Sequence, residues 1–302
     1  MINIKVGLDW IPNMTHSGII YADILGMFSE SEISISLVSP EEDNYLLGNE
    51  TKLATGNVDL AILPIESVID WNDNKRDKLI PIATLMQANN AAIFTLKSNR
   101  IKSPADLAGM RYGSLDLPYE VNMLRSMMAA DGCESPPFVC CPERLSLWDQ
   151  FLEGKLDAIW AFSAIEGIEA QLKGIEIQTF WFEDYGIPYP GTSFLVATKS
   201  WLLNNQNVAD SFLEVLSKAY KLCVAEPEKV AKTIVESNKH SYTNNYEFNL
   251  NCLKALIPYF LNQEGEWGKI CEARFNAYLK WLNKQGLINN PIEAEQIISL
   301  CV

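Results

Sequence analysis

The chain has 302 residues, a formal charge of −14, 48% apolar residues and 21% charged ones. That length exceeds a typical single domain and suits two, and the composition is that of a globular protein with sizeable cores. The acidic balance, with no Lys/Arg cluster interleaved with aromatics, excludes a nucleic-acid partner, and no apolar run approaches the ~20 residues of a membrane-spanning helix.

From the N-terminus, Ile2 to Leu8 alternates as a first β-strand and leads into Asp9-Trp10-Ile11-Pro12-Asn13-Met14-Thr15-His16-Ser17-Gly18. Ile19 to Phe28 then reads as a helix ended by Gly26, with Thr15 or Ser17 as its cap. An acid, a large aromatic, an Asn and a His thus crowd one strand-to-helix turn, the place where open α/β sheets bind ligands. Ile33 to Val38 is a second strand, Tyr45 to Thr55 a helix ended by Gly56, and Val58 to Leu63 and Leu79 to Met86 are further strands. Ser103-Pro104-Ala105-Asp106-Leu107 carries the marks of a helix start. Met110 to Ser114 reads as a strand and Tyr119 to Ala130 as the helix behind it. Such βαβ alternation predicts an α/β fold with mostly parallel sheets and helices on both faces.

A short echo supports two similar lobes. Leu53-Ala54-Thr55-Gly56-Asn57-Val58-Asp59 matches Leu152-Glu153-Gly154-Lys155-Leu156-Asp157 around a Gly suited to a left-handed helix end and an Asp opening a strand. Beyond Gly191, Thr192 to Thr198 is a strand, and the remainder is helical: Gln206 to Cys223, Pro227 to Ser237, Tyr246 to Leu261 and Trp267 to Lys284. Small, polar, Gly and Pro residues at 87–91 and 184–192 suit hinge crossings. The expected organisation is lobe 1 at 1–88 plus 192–302, carrying the C-terminal helices, and lobe 2 at 89–191.

The seven cysteines are odd in number and irregularly spaced, which predicts free, buried and inert thiols in a reducing compartment. With no CxxC pair and only His16 and His240, a structural zinc site is not expected. Neither a metal nor a cofactor is predicted. No signal peptide precedes the first strand, so the chain as written is expected to be a cytoplasmic monomer; a trimmed export signal would make it periplasmic or membrane-tethered.

The run Leu8-Asp9-Trp10-x-Pro12-Asn13-x-x-His16-x-Gly18 resembles the opening signature of the thiamine-pyrimidine-precursor-binding proteins of the ThiY type, within the NMT1-like family. Gly26-Met27-Phe28 is similar to that family's helix end, and Gly56-x-Val58-Asp59 to its next strand entry. Lys102-Ser103-Pro104-x-Asp106-Leu107-x-Gly109 resembles its entry to the second lobe, Tyr185-Gly186-Ile187-Pro188 its return hinge, and Trp281 with Gly286-Leu287-Ile288 its closing helix. The resemblance implies a type II periplasmic-binding-protein fold, two α/β lobes closing on a small ligand, with an ABC transporter permease as a partner. The same superfamily holds sulfonate-binding proteins and the fungal hydroxymethylpyrimidine phosphate synthase. The synthase's pyridoxal-phosphate lysine aligns with Leu63 and its substrate histidine with Ser67, and its cysteine-rich motif has no counterpart between Tyr185 and Thr198.

Candidate cleft residues sit at strand ends and hinge turns: Asp9, Trp10, Asn13 and His16; Pro64, Glu66 and Ser67; Ser114, Asp116, Tyr119 and Glu120. Trp160, Phe162 and Glu166, with Asp184, Tyr185 and Tyr189, complete the set. Aromatics and carboxylates without an Arg pair disfavour sulfonate or phosphate, which Arg forks or helix N-termini hold. They suit an aminopyrimidine, whose faces stack on aromatic rings and whose amine and ring nitrogen donate to a carboxylate. Each residue also has a plainer role: Trp160 and Phe162 as strand core, Glu66 as a helix cap, Asp116 as a turn residue before Pro118, His16 as a bond within its own loop. Trp10 and Tyr189 stand out because each lies in a turn. No Gly-x-Ser-x-Gly elbow, Walker loop or GxGxxG turn is present, so a binding protein comes before an enzyme of the same fold, and sulfonate or flavin binding remains an alternative.

Overall fold

A computed structural model describes residues 1–74, 77–191, 193–239, 244–289 and 294–298. In chain order the first elements are β1 (Ile2–Gly7), α1 (Ser17–Ile24), β2 (Ile33–Val38), α2 (Asn49–Ala54), β3 (Leu60–Leu63), α3 (Ile65–Asn74) and β4 (Leu79–Thr84). Then follow β5 (Ala91–Leu96), β6 (Arg111–Gly113), α4 (Glu120–Ala130), β7 (Phe138–Cys140), α5 (Leu147–Leu152), β8 (Ala158–Phe162), α6 (Glu166–Leu172) and β9 (Ile177–Phe180). The chain closes with β10 (Phe194–Thr198), α7 (Lys199–Ala225), α8 (Pro227–Ser237), α9 (Tyr246–Phe260), α10 (Glu272–Lys284) and α11 (Ala294–Ile298).

The strands form two five-stranded sheets, ordered β2-β1-β3-β10-β4 and β7-β6-β8-β5-β9. The architecture is therefore α/β with two lobes, one built on each sheet. The expectation of mostly parallel sheets needs correction. In the first sheet β10 runs antiparallel to both β3 and β4, and in the second β5 runs antiparallel to both β8 and β9. Each of these strands is the first after the chain passes from one sheet to the other. It enters from the opposite end and is wedged into a parallel set.

The echo noted in the sequence marks equivalent places in the two sheets. The Asp59 carboxylate accepts from the Lys5 N–H at 2.9 Å, and the Asp157 carboxylate accepts from the Arg111 N–H at 2.8 Å. In each case the acid just before the third strand in the order ties down its parallel neighbour, at Lys5 within β1 and at Arg111 opening β6. Gly56 and Gly154 precede these acids with φ of 71° and 70°, the left-handed turn that glycine adopts without a Cβ clash.

Helices α7 and α8 pack on α1 on the first lobe, and α9 packs on α7, α8 and the 14–16 turn; Phe28 stacks on Phe212 at 5.0 Å. Helix α10 reaches further: Phe275, Tyr278, Leu279 and Leu282 share a core with residues of both sheets, and Tyr278 Oη lies 3.3 Å from Met123 Sδ on α4. The two crossings lie side by side, a Cβ on Gly191 falling 3.6 Å from the Ala88 carbonyl oxygen.

Several element limits differ from the sequence expectation for local reasons. Helix α2 starts at Asn49 rather than Tyr45, because Tyr45 takes a left-handed backbone (φ 58°) and Gly48 precedes the first turn. Strand β3 starts at Leu60, Asp59 being used as the tie just described. Ser103 to Leu107 makes a single 3-10 turn with a capping box rather than a longer helix. Helix α10 starts at Glu272, since Gly268 pairs with Thr84 in an isolated antiparallel bridge. Thr192 and His240 lie outside the described residues. Cys133, Cys140, Cys141, Cys223, Cys252 and Cys271 are free thiols, but the expected burial holds only for Cys223 and Cys252; Cys133 and Cys140 are half-buried, Cys141 and Cys271 are exposed, and Cys301 lies outside the described residues. No described helix is long and apolar enough to cross a membrane.

Candidate ligand cleft

The segments that follow β1, β3, β6 and β7, together with β8 itself, border a cleft at the carboxyl ends of the parallel strands. It consists of two adjoining cavities of about 630 and 920 Å³, open mouths included. Asp9, Trp10, Leu115, Arg144, Trp160 and Phe162 line both. The first cavity adds Asn13, His16, Trp148 and Glu166, and the second adds Tyr45, Pro64, Ser67 and Asp116.

The Asp9–His16 loop is built from its own hydrogen bonds. Asn13 Oδ1 accepts from the Thr15 N–H at 2.8 Å, and His16 Nδ1 accepts from the Asn13 N–H at 3.3 Å. Asn13 caps the Met14–His16 turn, while α1, for which Thr15 or Ser17 was the expected cap, has His16 at that position with no side-chain cap bond. An accepting Nδ1 leaves the ring proton on Nε2, which donates to Asp9 Oδ1 at 2.8 Å. Ser193 Oγ donates to the other oxygen of Asp9 at 3.4 Å. Behind the loop, Tyr220 Oη donates to the Thr15 carbonyl at 2.9 Å, and its ring stacks on Trp267 at 4.7 Å. A Cβ on Gly18 would lie 2.3 Å from that Tyr220 ring, so only glycine lets α1 approach α7 this closely. The loop is thus held rigid with Asp9 and Trp10 presented to the cavities.

Glu166 opens α6, and its carboxylate accepts from the Phe162 N–H at 2.9 Å. Although its side chain is only partly shielded from solvent, the surrounding protein raises its carboxyl to about 7. Asp116 is exposed, with φ of 57°, and Ser114 Oγ accepts from its N–H at 2.9 Å.

Glu66, Ser114, Tyr119, Glu120, Tyr185 and Tyr189 line neither cavity. Glu120 instead organises the 114–118 loop from behind. It accepts from Tyr112 Oη at 2.6 Å, Ser114 Oγ at 3.0 Å and the N–H groups of Leu115 and Leu117 at 3.1 Å each. Tyr189 lies in a turn, yet its ring is buried among Trp160, Phe182 and Tyr278 at 5.2–5.5 Å, because the returning crossing packs against the second sheet. Tyr119 and Tyr185 pack on the same core, and Asp184 is exposed. Glu66 is 1% exposed, and burial pushes its carboxyl up to about 8. The neighbouring Tyr189 hydroxyl lowers that value in part and the charge of Glu120 raises it, but neither Glu66 oxygen has a well-formed hydrogen bond.

Tyr45, Arg144 and Trp148 were not among the residues read from the sequence. Tyr45 was absorbed into a helix that starts later. Arg144 lies in a 3-10 turn and Trp148 in the first turn of α5, and the signal they offer is two large side chains soon after the end of β7. Among the described residues, no group of three or more His, Cys, Asp or Glu side chains is placed to hold a metal ion.

A family described as NMT1/THI5-like matches residues 13–230. The chain belongs to the NMT1/THI5-like family. This NMT1/THI5-like chain is similar to a formylaminopyrimidine-binding protein of Halalkalibacterium halodurans, with 22% identity over 298 residues, covering 98% of this chain and 89% of the relative. It is also similar to a thiamine biosynthesis protein of Haemophilus influenzae, 25% identical over 295 residues, covering 97% and 90%. Its fold matches the crystal structure of the periplasmic aliphatic sulphonate binding protein SsuA from Escherichia coli with a TM-score of 0.71 at 16% identity, over 99% of this chain and 97% of that one.

Proposed function

We propose that this chain is a solute-binding protein whose lobes close on a small flat heteroaromatic, a thiamine pyrimidine precursor of the aminopyrimidine class, for uptake or salvage. The observation that carries the reading is the shared wall of the two cavities: Trp10 comes from the first lobe, Trp160 and Phe162 from the second, with the Asp9 carboxylate among them. Rings of that kind bury and stack on the faces of a pyrimidine, and a carboxylate accepts from its amino group and protonated ring nitrogen. Lobe 1 comprises 1–88 plus 192–302 and lobe 2 comprises 89–191, turning about 87–91 and 184–192. A permease of an ABC transporter is the partner that receives the ligand. The names of the relatives in Halalkalibacterium and Haemophilus point to the same ligand class.

The synthase alternative meets a chemical obstacle. Leu63 and Ser67, at the positions of the synthase's lysine and histidine, both line the second cavity. Leucine has no amine to condense with the aldehyde of pyridoxal phosphate, and serine has no imidazole to donate. The residues present do not fit that cofactor.

Two assays test the proposal together. A thermal-shift panel of aminopyrimidines, thiamine, flavins and alkanesulfonates is expected to give its largest rise with an aminopyrimidine, since a ligand that binds the folded form alone stabilises it. Pyridoxal phosphate is expected to give no aldimine absorbance. A rise with sulfonates alone, or an aldimine band lost on borohydride reduction, contradicts the reading.

A further inference from the structure

Glu66 lines neither cavity, yet it is an acid placed where the two lobes meet. It sits on α3 of the first lobe, 1% exposed, with no well-formed hydrogen bond to either carboxyl oxygen. The core around it is shared between the lobes: Ile65 and Val68 of α3 cluster with Met123 and Leu124 of α4, Tyr189 of the returning crossing and Tyr278 of α10. The titratable groups that act on Glu66 or feel its charge come from those same elements. They are Tyr119 and Glu120 at the start of α4, Tyr189 from the crossing and Tyr278 from α10. Along α3 itself, Asp70 and Asp73 act on Tyr119 as well. All of these are acids or phenols, and no Lys or Arg is among them. The Tyr189 hydroxyl is the side chain that favours a charge on Glu66, while Glu120, on a helix of the second lobe, opposes it.

We propose that Glu66 is a proton-operated catch between the two lobes: the neutral acid lets them stay closed, and the carboxylate drives them apart. The inference goes beyond the ligand reading and does not depend on which ligand the cleft takes. A buried charge with neither a cation nor a full set of hydrogen bonds is costly, and water is its remedy. Pro64 and Ser67, on either side of Glu66 in sequence, line the second cavity, so a widened cleft brings water to the turn of α3 that carries it. Parting the lobes also takes Glu120 away, since α3 follows a strand of the first sheet and α4 a strand of the second. Ionisation without movement achieves neither. Burial holds the carboxyl up to about 8. The closed arrangement therefore keeps its proton below that pH and loses its advantage as pH rises through it, and any binding that requires closure weakens in the same range.

The test is small-angle X-ray scattering of the full chain without ligand, across a pH series from about 6 to about 9, with circular dichroism at each pH to show that the chain stays folded. The wild type is expected to have a larger radius of gyration at the alkaline end. Through the transition its open-to-closed ratio should rise about tenfold per pH unit, the slope of a single proton. Glu66→Gln keeps the shape of the neutral acid and cannot ionise, so its radius is expected to stay at the acidic value throughout. Tyr189→Phe removes the hydroxyl that favours the charge and is expected to move the midpoint to higher pH; it carries the test should the glutamine variant fail to fold. Glu166, whose carboxyl is also raised, is the control: Glu166→Gln is expected to keep the transition. A folded wild type with the same radius at both ends overturns the inference. So does a glutamine variant at Glu66 that expands like the wild type, a Tyr189→Phe midpoint that stays or falls, or a transition abolished by Glu166→Gln. None of these results bears on which ligand the cleft binds.

Discussion

Replacing Trp10 by alanine is expected to weaken pyrimidine binding at least tenfold while leaving the unliganded melting temperature nearly unchanged. The two outcomes separate because Trp10 is half-buried and lines both cavities, rather than being enclosed in a core. Its ring lies 5.5 Å from that of Tyr45, tilted by 49°, so its own packing is an aromatic pair at the cleft edge. Stacking on a bound heterocycle is worth about 0.5–1.5 kcal/mol beyond the area buried. With that area included the loss passes the ~1.4 kcal/mol that corresponds to one decade in affinity. Parallel titrations of wild type and variant give the ratio directly. Equal affinities would place the ligand elsewhere.

The second large effect belongs to Glu66 and is read in stability. Its carboxyl is pushed from 4.5 up to about 8 by burial, beside Tyr189 and facing the charge of Glu120 on α4. The hydroxyls of Tyr119 and Tyr278 complete its polar surroundings, as both tyrosines feel its charge. Below about 4.5 both folded and unfolded chains hold the proton. Between 4.5 and about 8 the unfolded chain releases it and the folded chain does not, so stability falls as pH rises and levels off beyond about 8. One such group costs on the order of a few kcal/mol across the window, at ~1.4 kcal/mol per pKa unit. Glu66→Gln removes the titration and keeps the shape of the protonated acid. Chemical denaturation is expected to show equal stability for the two proteins near pH 4.5 and a more stable variant at pH 8. Glu166 is raised in both proteins and cancels in the comparison. Parallel pH profiles would mean that Glu66 ionises freely in the folded chain.

The two-lobe fold was legible because its signals are local. Asp59 and Asp157, each following a glycine at a helix end, announced equivalent strands before either sheet was visible. The strand insertions were not legible, since Ala91–Leu96 and Phe194–Thr198 are buried apolar runs whose direction depends on how the crossings enter the sheets. At the cleft, the Asp9–His16 loop could be read because acid, ring, amide and imidazole are contiguous in sequence. Tyr189 misled for the opposite reason: its turn is real, but the other face of that turn is a packed sheet. Arg144 reaches the cleft from a 3-10 turn and Trp148 from the first turn of α5, elements too short for periodicity to place them.

The central claim, that the cleft closes on a heteroaromatic, is tested most directly by isothermal titration of the full chain with a formylated aminopyrimidine beside an alkanesulfonate. Saturable binding of the pyrimidine at one site per chain, with a negative heat-capacity change from the buried rings and no heat from the sulfonate, is the expected result. Saturable sulfonate binding with no pyrimidine signal would contradict it.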